Sequence, residues 1–215
     1  MQKAKYLLII FFPVFIILGN FYYLTFNLNY YRKLFVRTGV YQNFGSREIV
    51  DLATINLLGY YRGQNQLDGN FYSIQAQSHL KDIKSILISA KVILAFITLI
   101  LFTITTFALY KKQFYQLVNS LIVSSIITIL TIAVLYISAQ INFDISFNLL
   151  HKIIFNNNLW LFAQNDNLLK LFPPQFFIEF ANQIAGRTLI TSVIIMVASM
   201  ILKSKLLDVP ARQGI

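Results

Sequence analysis

His79 and His151 are the only histidines in a chain of 215 residues that has no cysteine. Imidazole titrates near neutrality, so histidine is the natural carrier of a proton in a reaction at physiological pH. Two of them in one cavity can divide the work of base and acid. Asp82 follows His79 by three residues and shares its face if the stretch is helical, where a carboxylate can orient the ring and stabilise its charged form. Other chemistries are excluded or weak. Without cysteine there is no disulfide, thiolate zinc site or thiol nucleophile. The chain contains no Gly-x-Ser-x-Gly elbow, no His-Glu-x-x-His pair and no P-loop. Two histidines with Asp82 or Asp144 are too scattered in sequence to read as a metal set, and no metal or cofactor is expected.

The elements that hold these residues are membrane spans. Hydrophobic residues make up 57% of the chain and charged ones only 12%, against roughly 45–50% and 25% in soluble domains. The net charge of +10 would point to nucleic acid on a soluble protein; here it points to membrane lipid, and no nucleic acid is expected as partner. About 20 apolar residues cross a bilayer core, and four segments meet or approach that, at about 6–26, 86–110, 114–137 and 187–203. The first is too long for a signal-peptide core and lacks a small-residue cleavage site, so it reads as retained. Pro13 is expected to kink it. Four spans put both termini on one side. Lys3, Lys5, Lys111, Lys112, Lys203, Lys205 and Arg212 sit in short tails and a tight turn, whereas the other cations spread over two long loops. Short loops set orientation, so the termini are expected in the cytoplasm.

Two outer loops then cover about 27–85 and 138–186. Leu34–Tyr41, rich in β-branched and aromatic residues, reads as a short strand or hairpin. Ser46 is placed to cap a helix in which Ile49, Leu52, Ile55 and Leu58 repeat at helical spacing. Leu171–Phe177, with its two prolines, reads as a helix stop or a re-entrant edge. Lys91 reads as a snorkelling cation, and Trp160 with the tyrosines as an interfacial belt. The expectation is one all-α integral membrane domain over 1–215: a four-helix transmembrane bundle with an extracellular cap of short helices and room for a small β-hairpin. Spans two and three form a hairpin turning near Gln113, which lies 34 residues after His79 and 38 before His151. Their heights above the turn would be roughly 51 and 57 Å on unbroken helices. Both exceed the core thickness of roughly 30 Å, so breaks, tilt or protruding ends must intervene, but both rings belong on the outer side at similar depth.

These residues resemble a known family. His79-Leu-Lys-Asp82-Ile-Lys84 is similar to the His-Leu/Met-x-Asp-Val-Lys motif of the bacterial lipoprotein intramolecular transacylases, the Lit family. Phe143-Asp144, His151-x-x-x-Phe155, Trp160, Asp166 and Leu171-Phe-Pro-Pro-Gln-Phe-Phe177 resemble its second block. Ile83 stands where valine is common and Ile154 where phenylalanine is frequent; both keep the apolar character. The resemblance implies a multi-pass enzyme of the Gram-positive cell membrane. It would move the sn-2 acyl chain of a lipoprotein's diacylglyceryl-cysteine to that cysteine's own α-amine, giving a lyso-form lipoprotein. Diacylglyceryl lipoproteins and membrane lipids would be its partners, with the site at the outer leaflet. Tethering of donor and acceptor supplies their effective concentration. His79 is favoured as base with Asp82 orienting it and His151 as oxyanion donor or acid, though the two histidines are interchangeable on this footing. Lys84, Trp160 and Asp166 would shape the substrate pocket. The competing reading is a non-catalytic membrane protein that binds lipid or regulates a partner complex, in which both histidines are replaceable.

Overall fold

The computed structural model describes residues 4–207. These form nine helices and no strand: α1 (Ala4–Thr25), α2 (Leu28–Arg37), α3 (Val40–Phe44), α4 (Arg47–Arg62), α5 (Ile74–Tyr110), α6 (Phe114–Ile141), α7 (Phe143–Ile154), α8 (Asn167–Leu171) and α9 (Pro174–Leu207). Helices α1, α5, α6 and α9 are long and apolar enough to cross a membrane. Lys3 and Arg212, counted among the tail cations, lie outside the described residues.

Three of the four expected spans belong to longer helices. α5 has 37 residues and α9 has 34, roughly 50–55 Å each, well beyond a core of roughly 30 Å. A helix needs no reason to stop where the lipid stops, and only a breaker or a cap ends it. Pro174 shows the point. Its missing N–H costs nothing in a first turn, so Leu171–Phe177 ends α8 and starts α9 instead of forming a re-entrant edge. α1 continues as helix through Pro13.

The chain divides into two compact units. One holds residues up to 21, 92–135 and from 184 on. Its apolar cluster joins Leu8, Phe12 and Ile16, one face of α1, to Ile104 and Ala108 of α5 and Leu117 of α6. Small hydroxylated residues are also buried there: Ser120, Ser124, Ser125 and Thr128 on α6, and Thr188, Ser192 and Ser199 on α9. Ser120, Ser124 and Thr128 each donate to the carbonyl four residues back, which satisfies a hydroxyl without water. The outer surface of this unit is apolar, with Phe96, Phe102, Leu130, Val134, Ile190 and Ile194 all exposed. A continuous surface of that kind fits lipid and not water; the protein is a multi-pass membrane protein.

The other unit holds residues 22–91 and 136–183. Here the expected hairpin is replaced by helices. Asn27 caps α2 by accepting from the Tyr30 N–H at 3.1 Å, and Gly39 takes the left-handed turn (φ +72°) between α2 and α3. Tyr31, Leu34 and Phe35 recur at helical spacing and are buried; that period decides the element, and the β-branched residues follow it. α4 starts at its Ser46 cap as read from sequence. Its buried face, however, is Val50, Ala53, Thr54, Leu57 and Leu58, while Ile49, Leu52 and Ile55 stand exposed. α4 is apolar on more than one face, and spacing alone does not say which face packs. The core is aromatic: Tyr31, Phe35, Phe172, Phe176 and Phe180 lie with ring centroids mostly 5–6 Å apart. Tyr72 is fully buried and donates its hydroxyl to the Ala53 carbonyl at 2.8 Å.

Candidate active site

Both histidines belong to this second unit. His79 stands in the second turn of α5 and is 4% exposed. The start of α5 is fixed by Ser73, whose Oγ accepts from the Ala76 N–H and donates to Asp166 Oδ2 at 2.7 Å. Asp166 also accepts from the Leu168 N–H and so caps α8. It ties two helix starts together.

His151 lies in the last turn of α7, which Asn142 caps by accepting from the Ile145 N–H at 3.0 Å. Asn142 is also the break between α6 and α7, so the chain turns there and the height computed on one unbroken helix does not apply. The two imidazoles come together at 6.2 Å between ring centroids, with planes 27° apart. Aromatic rings enclose them. Phe155 contacts both at 4.8 and 5.5 Å, Phe162 stands edge-on to His79 at 5.5 Å, and Phe147 and Trp160 lie 4.1 and 4.9 Å from His151.

The two rings differ in their hydrogen bonding. His151 Nδ1 lies 2.8 Å from the Phe147 carbonyl. A carbonyl only accepts, so Nδ1 carries the proton and the neutral ring keeps its lone pair on Nε2. Burial pushes the His151 pKa below the usual 6.5, partly opposed by that hydrogen bond; at neutral pH the ring is an uncharged base. His79 Nδ1 is buried and has no hydrogen-bond partner among the described residues. Buried polar atoms are nearly always paired, so this nitrogen is available to something the site receives.

Asp82 does not hydrogen-bond to His79. Its Oδ2 accepts from Asn157 Nδ2 at 2.9 Å. Asn157 in turn accepts the Leu159 N–H on its side chain and the Trp160 indole N–H on its carbonyl, at 3.0 and 3.1 Å. Gln75 donates to the Leu159 and Leu161 carbonyls. Ser73, Gln75 and Asp82, all on or just before α5, thus staple down the segment that carries Trp160. Sequence reasoning missed Asn157 and Gln75, since an asparagine or glutamine in a polar loop or helix start carries no signal for such a role; Asn157 is exposed and Gln75 half-buried. Lys84 places its Nζ 4.0 Å from the Tyr60 ring centroid, a cation–π contact, and burial raises the Tyr60 pKa. Lys91 is exposed, and Asp144, in the first turn of α7, is exposed too. Among the described residues no three His, Asp or Glu side chains converge as metal ligands.

A sequence model of the family "Lipoprotein intramolecular transacylase Lit" matches residues 6–177. Among solved structures, that of the membrane integral lipoprotein intramolecular transacylase Lit from Bacillus cereus superimposes with a TM-score of 0.85 at 20% identity, covering 96% of this chain and 98% of that one. Two variants of the same protein, with a histidine replaced by arginine or by alanine, give TM-scores of 0.74 and 0.75 at 21% identity. They cover 95% and 96% of this chain, and 94% and 97% of theirs. At these identities the likeness speaks for the fold. No curated protein sequence matches the chain.

Proposed function

The chain belongs to the lipoprotein intramolecular transacylase Lit family, and from that premise we propose that it catalyses O-to-N acyl transfer within bacterial lipoproteins. The observation that carries the reading is the pair of imidazoles 6.2 Å apart in an aromatic enclosure, one with a fixed Nδ1–H and one with a buried, unpartnered nitrogen. The substrate is a diacylglyceryl-modified N-terminal cysteine, and the product is the lyso-form lipoprotein with the former sn-2 acyl chain on the α-amine. The whole of 1–215 acts as one membrane domain of a Gram-positive cell membrane, with both termini cytoplasmic and the site at the outer leaflet.

The α-amine has an ordinary pKa near 7.7–8.0; its ammonium form first gives one proton to water, and the free amine then sheds a second as it attacks. His151 Nε2 takes that proton, because its lone pair is fixed there by the Phe147 carbonyl. This reverses the division of labour favoured on sequence. The amine nitrogen attacks the sn-2 ester carbonyl, and a nitrogen–carbon bond forms as the carbonyl oxygen becomes an oxyanion. His79 donates an N–H to that oxyanion. The carbon–oxygen ester bond then breaks, and the proton held by His151 passes to the departing glyceryl alkoxide. No atom is added or lost. Trp160 and the phenylalanines exclude water, which would otherwise compete as nucleophile. Asp82 positions Trp160 through Asn157, Lys84 braces α5 on Tyr60, and Asp166 holds the start of α5.

The test is mass spectrometry of the N-terminal lipopeptide of a lipoprotein co-expressed in a host without its own N-acylating enzyme. Wild type should convert the diacylglyceryl peptide into an N-acyl, monoacylglyceryl isomer of equal mass, separable by fragmentation. His79→Ala and His151→Ala should leave it unconverted. An untouched diacylglyceryl form with well-expressed wild type would favour the non-catalytic reading.

A further inference from the structure

Helix α7 carries four stripes of residues spaced four apart, and each meets a different surrounding. Phe143, Phe147 and His151 are half-buried and point into the unit; Phe147 lies 5.4 Å from Phe143 and 5.2 Å from Phe177. Asp144, Asn148 and Lys152 form a polar stripe, all exposed. Ile145, Leu149 and Ile153 are exposed by 65, 56 and 72% of their surface, and Leu150 beside them by 53%. No residue of α7 is fully buried. The fourth stripe, Ser146 with Leu150 and Ile154, borders the apolar one.

Among the described residues nothing covers the Ile145–Leu149–Ile153 stripe, but its neighbour in the chain identifies what does. α6 is a membrane-spanning helix that ends at Ile141, and one residue, Asn142, separates it from α7. The last turns of α6 expose Ile137 and Ile141, by 57 and 80%. Exposed apolar residues therefore continue from the last turns of a span onto α7, interleaved with the exposed polar Ser138, Gln140, Asn142 and Asp144. The turn is pinned twice, by the Asn142 cap and by Ser146 Oγ donating to the Ser138 carbonyl at 3.1 Å. A short amphipathic helix in this situation lies in the plane of the membrane interface, with its apolar face sunk about 5–10 Å to the boundary of headgroups and acyl chains.

We propose that α7 is an in-plane interfacial helix whose Ile145–Leu149–Ile153 face is immersed in the bilayer, with Asp144, Asn148 and Lys152 toward water. Its occupant is the acyl-chain boundary of the leaflet on the side where α6 ends. Immersion fixes the height of α7, and with it that of His151 on the far side of the helix from the immersed face, near the level of the interface that holds glycerol esters. The immersion stands without the acyl-transfer reading; only this consequence for His151 rests on it.

The absence of cysteine makes the full-length protein suited to a single-cysteine scan. Residues 144, 145, 148, 149, 152 and 153 are each replaced by cysteine and labelled with a nitroxide, in liposomes of phosphatidylglycerol and phosphatidylethanolamine. Spin relaxation is then measured with oxygen, which concentrates in lipid, and with a water-soluble nickel chelate. All six positions are exposed, so the substitutions remove no core contact. At 145, 149 and 153 oxygen should relax the label more than the chelate, and at 144, 148 and 152 the order should reverse. Chelate dominance at all six sites would show α7 clear of the bilayer and overturn the proposal. So would labels at 145, 149 and 153 that are immobilised and shielded from both reagents, since protein would then cover the face. The lipopeptide assay on the wild type is a separate readout: a protein with the expected depth profile and no transfer would fail the acyl-transfer reading alone.

Discussion

At the scale of single residues, the decisive bond is the one from His151 Nδ1–H to the Phe147 carbonyl. It assigns the lone pair to Nε2, and burial keeps the ring neutral. A lowered pKa means that the base form persists to lower pH. Beside the limb near 7.7–8.0 that the substrate's own α-amine sets, kcat/KM is therefore expected to show a second acid limb below pH 6.5, and a profile with the amine's limb alone would remove His151 from the role of base. His151→Ala should cost about 10²-fold or more in transfer rate, the usual worth of a positioned acid–base group. The same depressed pKa has a consequence for stability. The unfolded chain binds the proton more readily, so stability is lost as pH falls through about 6.5, a slope that His151→Ala should reduce in thermal unfolding at pH 5 against pH 7. Asp82 offers a sharper discrimination. If it acts by accepting the Asn157 amide, Asp82→Asn keeps an acceptor and most of the activity. Asp82→Ala should then lose several-fold, in keeping with a hydrogen bond worth about 1 kcal/mol. If charge on the His79 ring were its role, both variants would lose equally. Trp160 is the only tryptophan, so its emission reports directly whether the Asn157 turn has loosened in the alanine variant.

At the scale of elements, caps and breakers decide what apolar pattern leaves open. Asn142 separates a span from the helix that bears His151 and caps that helix. Asn142→Ala is expected to destabilise by about 1 kcal/mol, the usual cost of losing a side-chain cap, and to lower activity with it. Asn142→Asp should restore both, since it keeps the accepting oxygen; thermal unfolding in detergent beside the lipopeptide assay checks the pair. Gly63 ends α4 at φ +79°, a left-handed conformation that costs an L-residue about 1–2 kcal/mol. Gly63→Ala should lower the unfolding midpoint while leaving the specific activity of the folded fraction intact.

At the scale of the whole molecule, the pattern of exposed apolar helices makes it a membrane protein, and its cations carry the prediction of orientation. Cysteines introduced at Lys111 and Lys170, in a chain with none of its own, should react differently with a membrane-impermeant thiol reagent. Lys170→Cys should label in intact cells and Lys111→Cys only after permeabilisation. The opposite pattern would invert the topology and place the histidines on the cytoplasmic side.

Sequence alone determined the four spans, the helical start at Ser46 and the two histidines as the pair to watch, because long apolar runs, caps and rare residue types are local signals. It bounded spans within α5 and α9 but not the helices themselves, which run past those bounds, since hydropathy marks the lipid and not the helix. It favoured a hairpin at Leu34–Tyr41, where burial of Tyr31, Leu34 and Phe35 on one side selected helix. It named Asp82 as a partner of His79 from spacing along one helix. Only the tertiary structure brought Asn157, 75 residues away in the chain, to that carboxylate. The same holds for the choice of base. Which ring is locked into one tautomer depends on which finds a fixed acceptor and which is left buried without one, and that is a property of packing, not of spacing.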